Sequence, residues 1–267
     1  MSFLNLLVFA CVPISLSAQP TLDEGYRQMY NLEFDQAHKT FADWMQLHPA
    51  DPLGPASDAA GYLFSELDRL HILQGEFFLH DENFRTKQKL NVDPVLAKAF
   101  HDQLARATDL ANKALATDPK NTNALFASSL ALGLRSDFEG LIEKRYFSSL
   151  TTTKQNRLLA EKLLGIDPNF HDAWVAIGIE NYLLSLKPMP VRWVLQLAGN
   201  KTDKAVGIEK LRITAEKGRY FRPFAELMLA VAAIRDGDKM TARNILEKLS
   251  KEFPKNHLYQ QELSRLR

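Results

Sequence analysis

Apolar residues recur along this chain at the spacing of helices rather than of strands. They follow one another in steps of three and four positions, which places them on one face of a helix. Two such runs are Leu63, Leu67, Leu70, Leu73 and Phe77, and Leu104, Ala107, Ala111, Ala114 and Leu115. No Asn-Gly or Asp-Gly hairpin lies between alternating apolar runs, so strands are not expected. The pattern predicts an all-α protein.

Prolines and capping residues predict where several of these helices begin and end. Four similar stretches, "LHPADP", "ATDPKN", "GIDPNF" and "EFPKNH", carry Pro49, Pro119, Pro168 and Pro254. Proline cannot continue a helix and also restricts the residue before it, so each stretch predicts a helix end. Asp93-Pro94 predicts a helix start, with an N-cap residue followed by proline at the first helical position.

The residues that precede two of these prolines occupy matching positions. Counting 5, 8, 12 and 15 positions back from Pro49 gives Trp44, Phe41, Ala37 and Phe34, and counting 5, 8 and 12 back from Pro254 gives Leu249, Leu246 and Ala242. The small alanine allows two helices to lie close together, and the large residue four positions later fills the contact with the next pair. Because one helix pair cannot bury its apolar face alone, the pairs are expected to stack.

This spacing resembles the tetratricopeptide repeat (TPR), a helix–turn–helix unit of about 34 residues. Well-matched repeats lie near residues 21–53, 171–217 and 223–256, with an insertion at 186–201 and a partial repeat near 94–121. Further segments at about 54–92, 134–155 and 183–203 do not fit the repeat. The resemblance implies that residues 19–267 form one domain, a right-handed helical solenoid of irregular TPR-like hairpins with helical insertions.

The C-terminal half also resembles a narrower group. The stretch "ENYLLSLKPMPVRWVLQLAGNKTDKAVGIEKLRITAEKG" is similar to tetratricopeptide repeat protein 39 and to its fungal outer-mitochondrial-membrane relatives involved in clearing inclusions. The shared features are an Asn-Tyr helix end, a Leu/Pro break, an apolar helix, and then Asp203, Gly207 and Leu211. This resemblance implies an interaction protein and provides no catalytic residues to carry over.

The N-terminal stretch "MSFLNLLVFACVPISLSAQP" differs in kind from the rest of the chain. It has no charged side chain and passes from an apolar run to small residues, which predicts a signal peptide over residues 1–18 that is cleaved after Ala18. The protein is therefore expected to be exported, to the periplasm or the extracellular space. A lipid anchor at Cys11 is the alternative, but Phe9 fits poorly in a lipobox, so a continuing signal is favoured.

Charge and motifs exclude several classes of function. The chain has 33 basic and 32 acidic residues and a net charge of +1, which argues against nucleic acid as the main partner. No known nucleophile, phosphate-binding or zinc-protease motif occurs, so no enzyme activity, catalytic residue or cofactor is predicted. Glu76 and His80 could share a helix face, but without further ligands they are expected to form a surface pair rather than a metal site.

The inner, concave face made by the first helix of each repeat is the predicted binding surface. The expected residues are Val175, Ile179, Tyr182, Trp193, Leu227, Met228 and Val231. The apolar segment around Trp193, which follows Pro188-Met189-Pro190, is expected to be either a lid packed on the solenoid or one wall of a groove.

The sequence is compatible with two functions. The first is a non-enzymatic scaffold in the cell envelope that binds another protein. The alternative is a carrier or transporter-associated subunit that binds a small apolar ligand inside the solenoid. The concave positions carry apolar residues, which argues against recognition of a peptide carboxylate by basic residues.

Overall fold

A computed structural model describes residues 19–73 and 90–266, and this part of the chain is all-α, with twelve α-helices and no strand. The helices are α1 (Leu22–Tyr30), α2 (Phe34–Leu47), α3 (Leu53–Arg69), α4 (Pro94–Thr117), α5 (Thr122–Asp137), α6 (Tyr146–Ile166), α7 (Trp174–Ser185), α8 (Met189–Leu197), α9 (Lys204–Lys217), α10 (Arg222–Arg235), α11 (Lys239–Glu252) and α12 (His257–Arg265). The predicted signal peptide with Cys11 and Ala18, Phe77, and the Glu76–His80 pair lie outside the described residues.

The predicted helix ends are confirmed. Helices α2, α4, α6 and α11 each end two residues before one of the four prolines noted above. The predicted start at Asp93 is also confirmed, since its carboxylate accepts hydrogen bonds from the backbone N–H groups of Val95 (2.8 Å) and Leu96 (3.3 Å). Local chemistry at the helix ends therefore sets the element boundaries.

Helix α3 ends earlier than its apolar spacing predicts. The pattern runs on to Phe77, but the helix ends at Arg69. His71 adopts a left-handed backbone conformation (φ 58°), and the Ile72 N–H donates to the carbonyl of Leu67 at 2.8 Å. This is the hydrogen bond of a helix-terminating turn, so the described apolar residues beyond Arg69 contribute to the core from a non-helical segment.

Neighbouring helices pack in five consecutive pairs. These are α1 with α2, α3 with α4, α5 with α6, α7 with α9, and α10 with α11, and each pair also contacts the next. Where short turns join the partners, they run antiparallel. The segment 134–155, predicted to lie outside the repeats, instead joins two paired helices through a π-helical turn at Phe138–Ile142. Likewise, the described part of 54–92 contains most of α3, which packs on α4.

The core is built as the small and large positions predict. Ala37 and Ala242 are fully buried, and so are Phe41 and Leu246, the large residues four positions later in the same helices. A smaller, separate cluster lies between α7, α9 and α10, and it consists of Tyr182, Leu211, Ala225, Met228 and Ala232. A larger apolar cluster, to which Ala37, Phe41, Ala242 and Leu246 belong, extends from α1 to α12. One apolar core therefore joins most of the described chain.

The two ends of the described chain meet. Tyr30 donates a hydrogen bond to the carbonyl of Tyr220 (3.0 Å), and the Asn256 side chain donates to the carbonyl of Tyr30 (2.8 Å). An ion pair joins Asp23 and Arg219 at 2.5 Å. The first helix pair is therefore fixed to the turns on either side of α10 and α11.

None of the helices in the described ranges combines the length and the apolar character needed to cross a bilayer.

Candidate functional site

An apolar cavity of about 180 Å³ lies among α3, α5, α7 and α10. These are the first helices of four successive pairs, and each turns apolar side chains toward the same space. Its main apolar lining residues are Phe64, Leu67, Phe126, Leu130, Leu134, Val175, Ala176, Ile179, Leu183, Phe224, Leu227, Met228 and Val231. Binding sites for small molecules are usually concave and lined in this way, with a few polar groups.

Five of the seven residues predicted from the sequence line this cavity. Val175 and Ile179 come from α7, and Leu227, Met228 and Val231 come from α10. The fold thus brings together side chains that are about fifty residues apart in sequence. Their part in binding stays a prediction.

The other two predicted residues lie elsewhere. Tyr182 has no exposed surface and packs in the smaller cluster between α7 and α9. Trp193 lies on α8 and is 62% exposed to solvent. The expectation that this segment is a lid or a groove wall is wrong, because α8 turns most of its apolar side chains away from the protein and buries Leu195.

Aromatic rings bring opposite walls of the cavity into contact. The rings of Phe64 on α3 and Phe224 on α10 lie 6.3 Å apart in an edge-to-face arrangement. Phe221, at the start of α10, lies 5.8 Å from Phe126 on α5 and 6.0 Å from Tyr26 on α1. The cavity is therefore narrow here, with side chains from non-neighbouring pairs meeting across it.

Asp172 fixes the start of α10 at the edge of the cavity. Its carboxylate accepts hydrogen bonds from the backbone N–H groups of Arg219 (3.0 Å), Tyr220 (3.1 Å) and Phe221 (2.8 Å). Burial raises the pKa of Asp172, and these hydrogen bonds oppose the shift. Asp172 thus precedes α7 in sequence, but its carboxylate binds the backbone at the start of α10.

A polar strip runs along one side of the cavity, between α5 and α6. Ser129 donates to the side-chain oxygen of Asn156 at 2.5 Å, and the hydroxyls of Ser136 and Thr153 are 2.6 Å apart. Each of these three hydroxyl groups therefore has a hydrogen-bond partner. The amide nitrogen of Asn156 has no hydrogen bond within the described part of the chain, and it lies close to Gly133 in the cavity wall.

Asp137 is the acidic side chain of this strip, and sequence reasoning missed it. It lines the cavity at the end of α5, and within residues 19–73 and 90–266 its carboxyl makes no hydrogen bond or ion pair. Burial raises the pKa of Asp137 to about 7. An acid held in a cleft with a strongly shifted pKa is a candidate binding residue. The sequence signal that could have indicated Asp137 is its position as a carboxylate at the end of a long run of mostly apolar and small residues.

The described ranges offer few other candidate sites. They contain no group of three or more His, Cys, Asp or Glu side chains placed to hold a metal ion. No protein-family model matches the chain, and no curated protein is significantly similar to it in sequence.

Proposed function

We propose that this chain is an exported, TPR-like solenoid that binds a small apolar ligand in the cavity between α3, α5, α7 and α10. The observation that carries the proposal is the cavity itself, whose walls are apolar side chains from four helices. Of the two functions that the sequence leaves open, this geometry favours the ligand-binding one.

Contacts across the inner face argue against a helix of a protein partner as its occupant. The rings of Phe64 and Phe224 lie 6.3 Å apart, so they narrow the inner face where a helix would need a width of about 10 Å. A protein partner would therefore need another surface of the molecule.

The cavity defines the class of ligand. A cavity of about 150 Å³ accommodates benzene, so this one suits an apolar body of roughly six to ten carbon atoms. Asp137 and the amide of Asn156 offer hydrogen bonds at one side. Because burial raises the pKa of Asp137 to about 7, the carboxyl is mostly protonated below that pH and can then donate to a hydroxyl or carbonyl group. A medium-chain alcohol or ester fits both features.

Two measurements test the proposal. Native mass spectrometry of gently purified protein should show a co-purified small molecule, and 1-octanol should raise the melting temperature in a saturable way. A ligand present at 100 times its Kd stabilises a protein by about 2.7 kcal/mol. A clean apo mass together with no thermal shift would count against the proposal.

A cavity-filling variant makes the test specific. Val175→Phe should place a ring in the cavity and abolish the response to 1-octanol, with the helical circular dichroism unchanged. Val95→Phe is the control, because Val95 is 74% exposed on α4 and should leave the response intact. Equal octanol responses in the two variants would place the ligand outside this cavity.

A further inference from the structure

Helix α8 presents its apolar side to solvent. Met189, Trp193 and Leu197 follow at intervals of four and lie on one helix face, with Val194 beside it. All four are exposed, with exposed fractions between 56% and 90%. In an ordinary surface helix such residues face the core. A contiguous apolar face of this kind marks a contact site.

The outward orientation is held by polar contacts at the C-terminal end of α8. Lys154 donates to the carbonyl of Ala198 (2.7 Å), and Arg157 donates to that of Gly199 (3.1 Å). Arg157 is itself buried and paired with the fully buried Glu180 at 2.7 Å. Because the buried Arg157 anchors this turn, α8 is a fixed part of the surface.

Cations predominate in the stretch of chain around α8, and the first acid after it is Asp203, which caps α9. Lys187, Arg192 and Lys201 lie before, within and after the helix, and no Asp or Glu occurs between residues 181 and 202. Glu180, the acid that directly precedes this stretch, is fully buried and paired with Arg157. An exposed apolar face bordered by cations is complementary to a surface that combines apolar and anionic groups.

We propose that α8 is a docking helix for an anionic lipid surface. Trp193 would lie at the level of the head groups, where amphipathic rings are favoured, while Leu197 and Val194 reach the acyl chains. Lys187, Arg192 and Lys201 would face lipid phosphates. This is the geometry of a helix that lies in the membrane interface rather than crossing it.

The extent of the face argues against a second copy of the chain as the occupant. A nine-residue helix is about 13.5 Å long and about 10 Å wide, so it offers roughly 140 Å² of projected surface. A stable protein interface buries about 800 Å² on each partner. A lipid surface sets no such minimum area, because its contribution adds to that of the bordering cations.

Vesicle binding of the full chain tests this proposal. Sedimentation with vesicles of phosphatidylcholine containing 30% phosphatidylglycerol should show binding, and pure phosphatidylcholine should bind at least tenfold more weakly. Trp193→Asp combined with Leu197→Asp should weaken binding to the anionic vesicles at least tenfold. Each of Arg192→Gln and Lys201→Gln should weaken it about fivefold, and 0.5 M salt should remove that difference.

Controls separate α8 from the rest of the chain. Val95→Asp changes an equally exposed apolar residue on α4 and should bind as the wild type does. Brominated phosphatidylglycerol should quench wild-type fluorescence more than that of Trp193→Phe, and the difference reports Trp193 alone. Unchanged circular dichroism in every variant shows that the fold is intact.

Several results would overturn the proposal. These are equal quenching in wild type and Trp193→Phe, equal loss of binding in the Val95 control, or a dimer in analytical ultracentrifugation that the Trp193→Asp, Leu197→Asp variant abolishes. Capture of a specific protein through α8 without vesicle binding would assign the surface to a protein partner instead. This proposal is independent of ligand binding in the cavity. The Val175→Phe variant, in which a ring fills the cavity, should still bind vesicles.

Discussion

Gly207 lies where α9 crosses α7 so closely that no side chain fits. A Cβ atom at this position would lie 2.5 Å from the backbone nitrogen of Tyr182 and 2.8 Å from its Cα atom. Because both contacts are backbone atoms, they cannot move aside as the end of a side chain can. The glycine therefore sets the distance between the two helices of this pair.

Replacing Gly207 by alanine should force α7 and α9 apart. We expect Gly207→Ala to lower the free energy of unfolding by about 1–3 kcal/mol, in the range of other overpacked sites. Gly165→Ala is the matched control, because nothing lies within 4 Å of a Cβ atom there. Since it removes a glycine from helix α6, the control should gain about 0.5–1 kcal/mol. Urea unfolding measures both, and a neutral Gly207→Ala would contradict the geometry.

Asp137 should make stability depend on pH in a defined window. Its pKa in the folded protein is about 7, above its ordinary value of 3.8, so the folded state keeps a proton that the unfolded state releases. The stabilising effect is complete below about pH 4 and is lost as pH rises to about 7. We expect Asp137→Asn to gain stability relative to wild type across this window, by roughly 1–3 kcal/mol at pH 7.5.

Urea unfolding of wild type and Asp137→Asn at a series of pH values checks this expectation. Other carboxylates titrate equally in both proteins, so their effects cancel in the difference between the two. A difference that stays constant from pH 4 to pH 7.5 would show that Asp137 has an ordinary pKa.

The sequence predicts the residues at close helix contacts better than it predicts the polar residues of the cavity. Ala37 and Phe41 follow a repeat pattern, and their burial follows from that pattern. Asp137 is not part of a repeat pattern. It is a candidate binding residue only because apolar residues from α3, α7 and α10 form a cavity around it. That information is tertiary and cannot be obtained from spacing along one helix.

At the scale of elements, proline and capping signals predicted the helix ends, and α8 was misjudged. Its apolar residues led to the expectation of a buried lid or wall. The structure buries Leu195 and exposes Trp193 and its neighbours. Helical spacing shows that an apolar face exists, but it does not show whether that face points inward. The direction depends on the turn after α8, which is anchored by residues far away in sequence.

The ion pair that anchors this turn gives an element-scale prediction. Arg157 and Glu180 are both buried, and their closest atoms are 2.7 Å apart. We expect Arg157→Leu to cost about 3–5 kcal/mol, because it leaves a buried carboxylate without its charge partner. The double variant Arg157→Leu, Glu180→Leu should recover most of that loss, since apolar residues of similar size replace such pairs at little cost.

Chemical denaturation of the single and double variants measures the two effects. If the double variant were as unstable as Arg157→Leu alone, the lost hydrogen bond from Arg157 to Gly199 would matter more than the buried charge.

For the whole molecule, the repeat resemblance predicted stacked hairpins but not the contact between the first pair and the last turns. That contact depends on residues outside the repeat pattern. Tyr30 is one, since its hydroxyl reaches Tyr220, and Asn256 is another. A repeat describes how each pair meets its neighbour. It does not describe contacts between distant pairs, such as the one that joins the first pair to residues near Tyr220 and Asn256.

Asn256 allows the contribution of this contact to be measured. Its side chain caps α12 by accepting from the Leu258 N–H (3.0 Å) and also donates to the carbonyl of Tyr30 (2.8 Å). Asn121 is the matched control, since its side chain caps α5 by accepting from the Ala124 N–H at 2.9 Å. We expect Asn121→Ala to cost about 1 kcal/mol and Asn256→Ala about 1–3 kcal/mol more.

Limited proteolysis adds a readout specific to the closing contact. Asn256→Ala should increase cleavage within the first helix pair, at residues 22–47, whereas Asn121→Ala should not. Equal cleavage patterns in the two variants would show that the first pair is held by apolar packing alone.

The contact between the ends also orders events during synthesis. Tyr30 is separated from Tyr220 by 190 positions and from Asn256 by 226 positions. The first helix pair is therefore made well before the residues that hold it. Until then, part of its apolar surface, including Tyr26, has no partner to cover it. Until those residues are made, the N-terminal pair is thus exposed to proteases and to association with other chains.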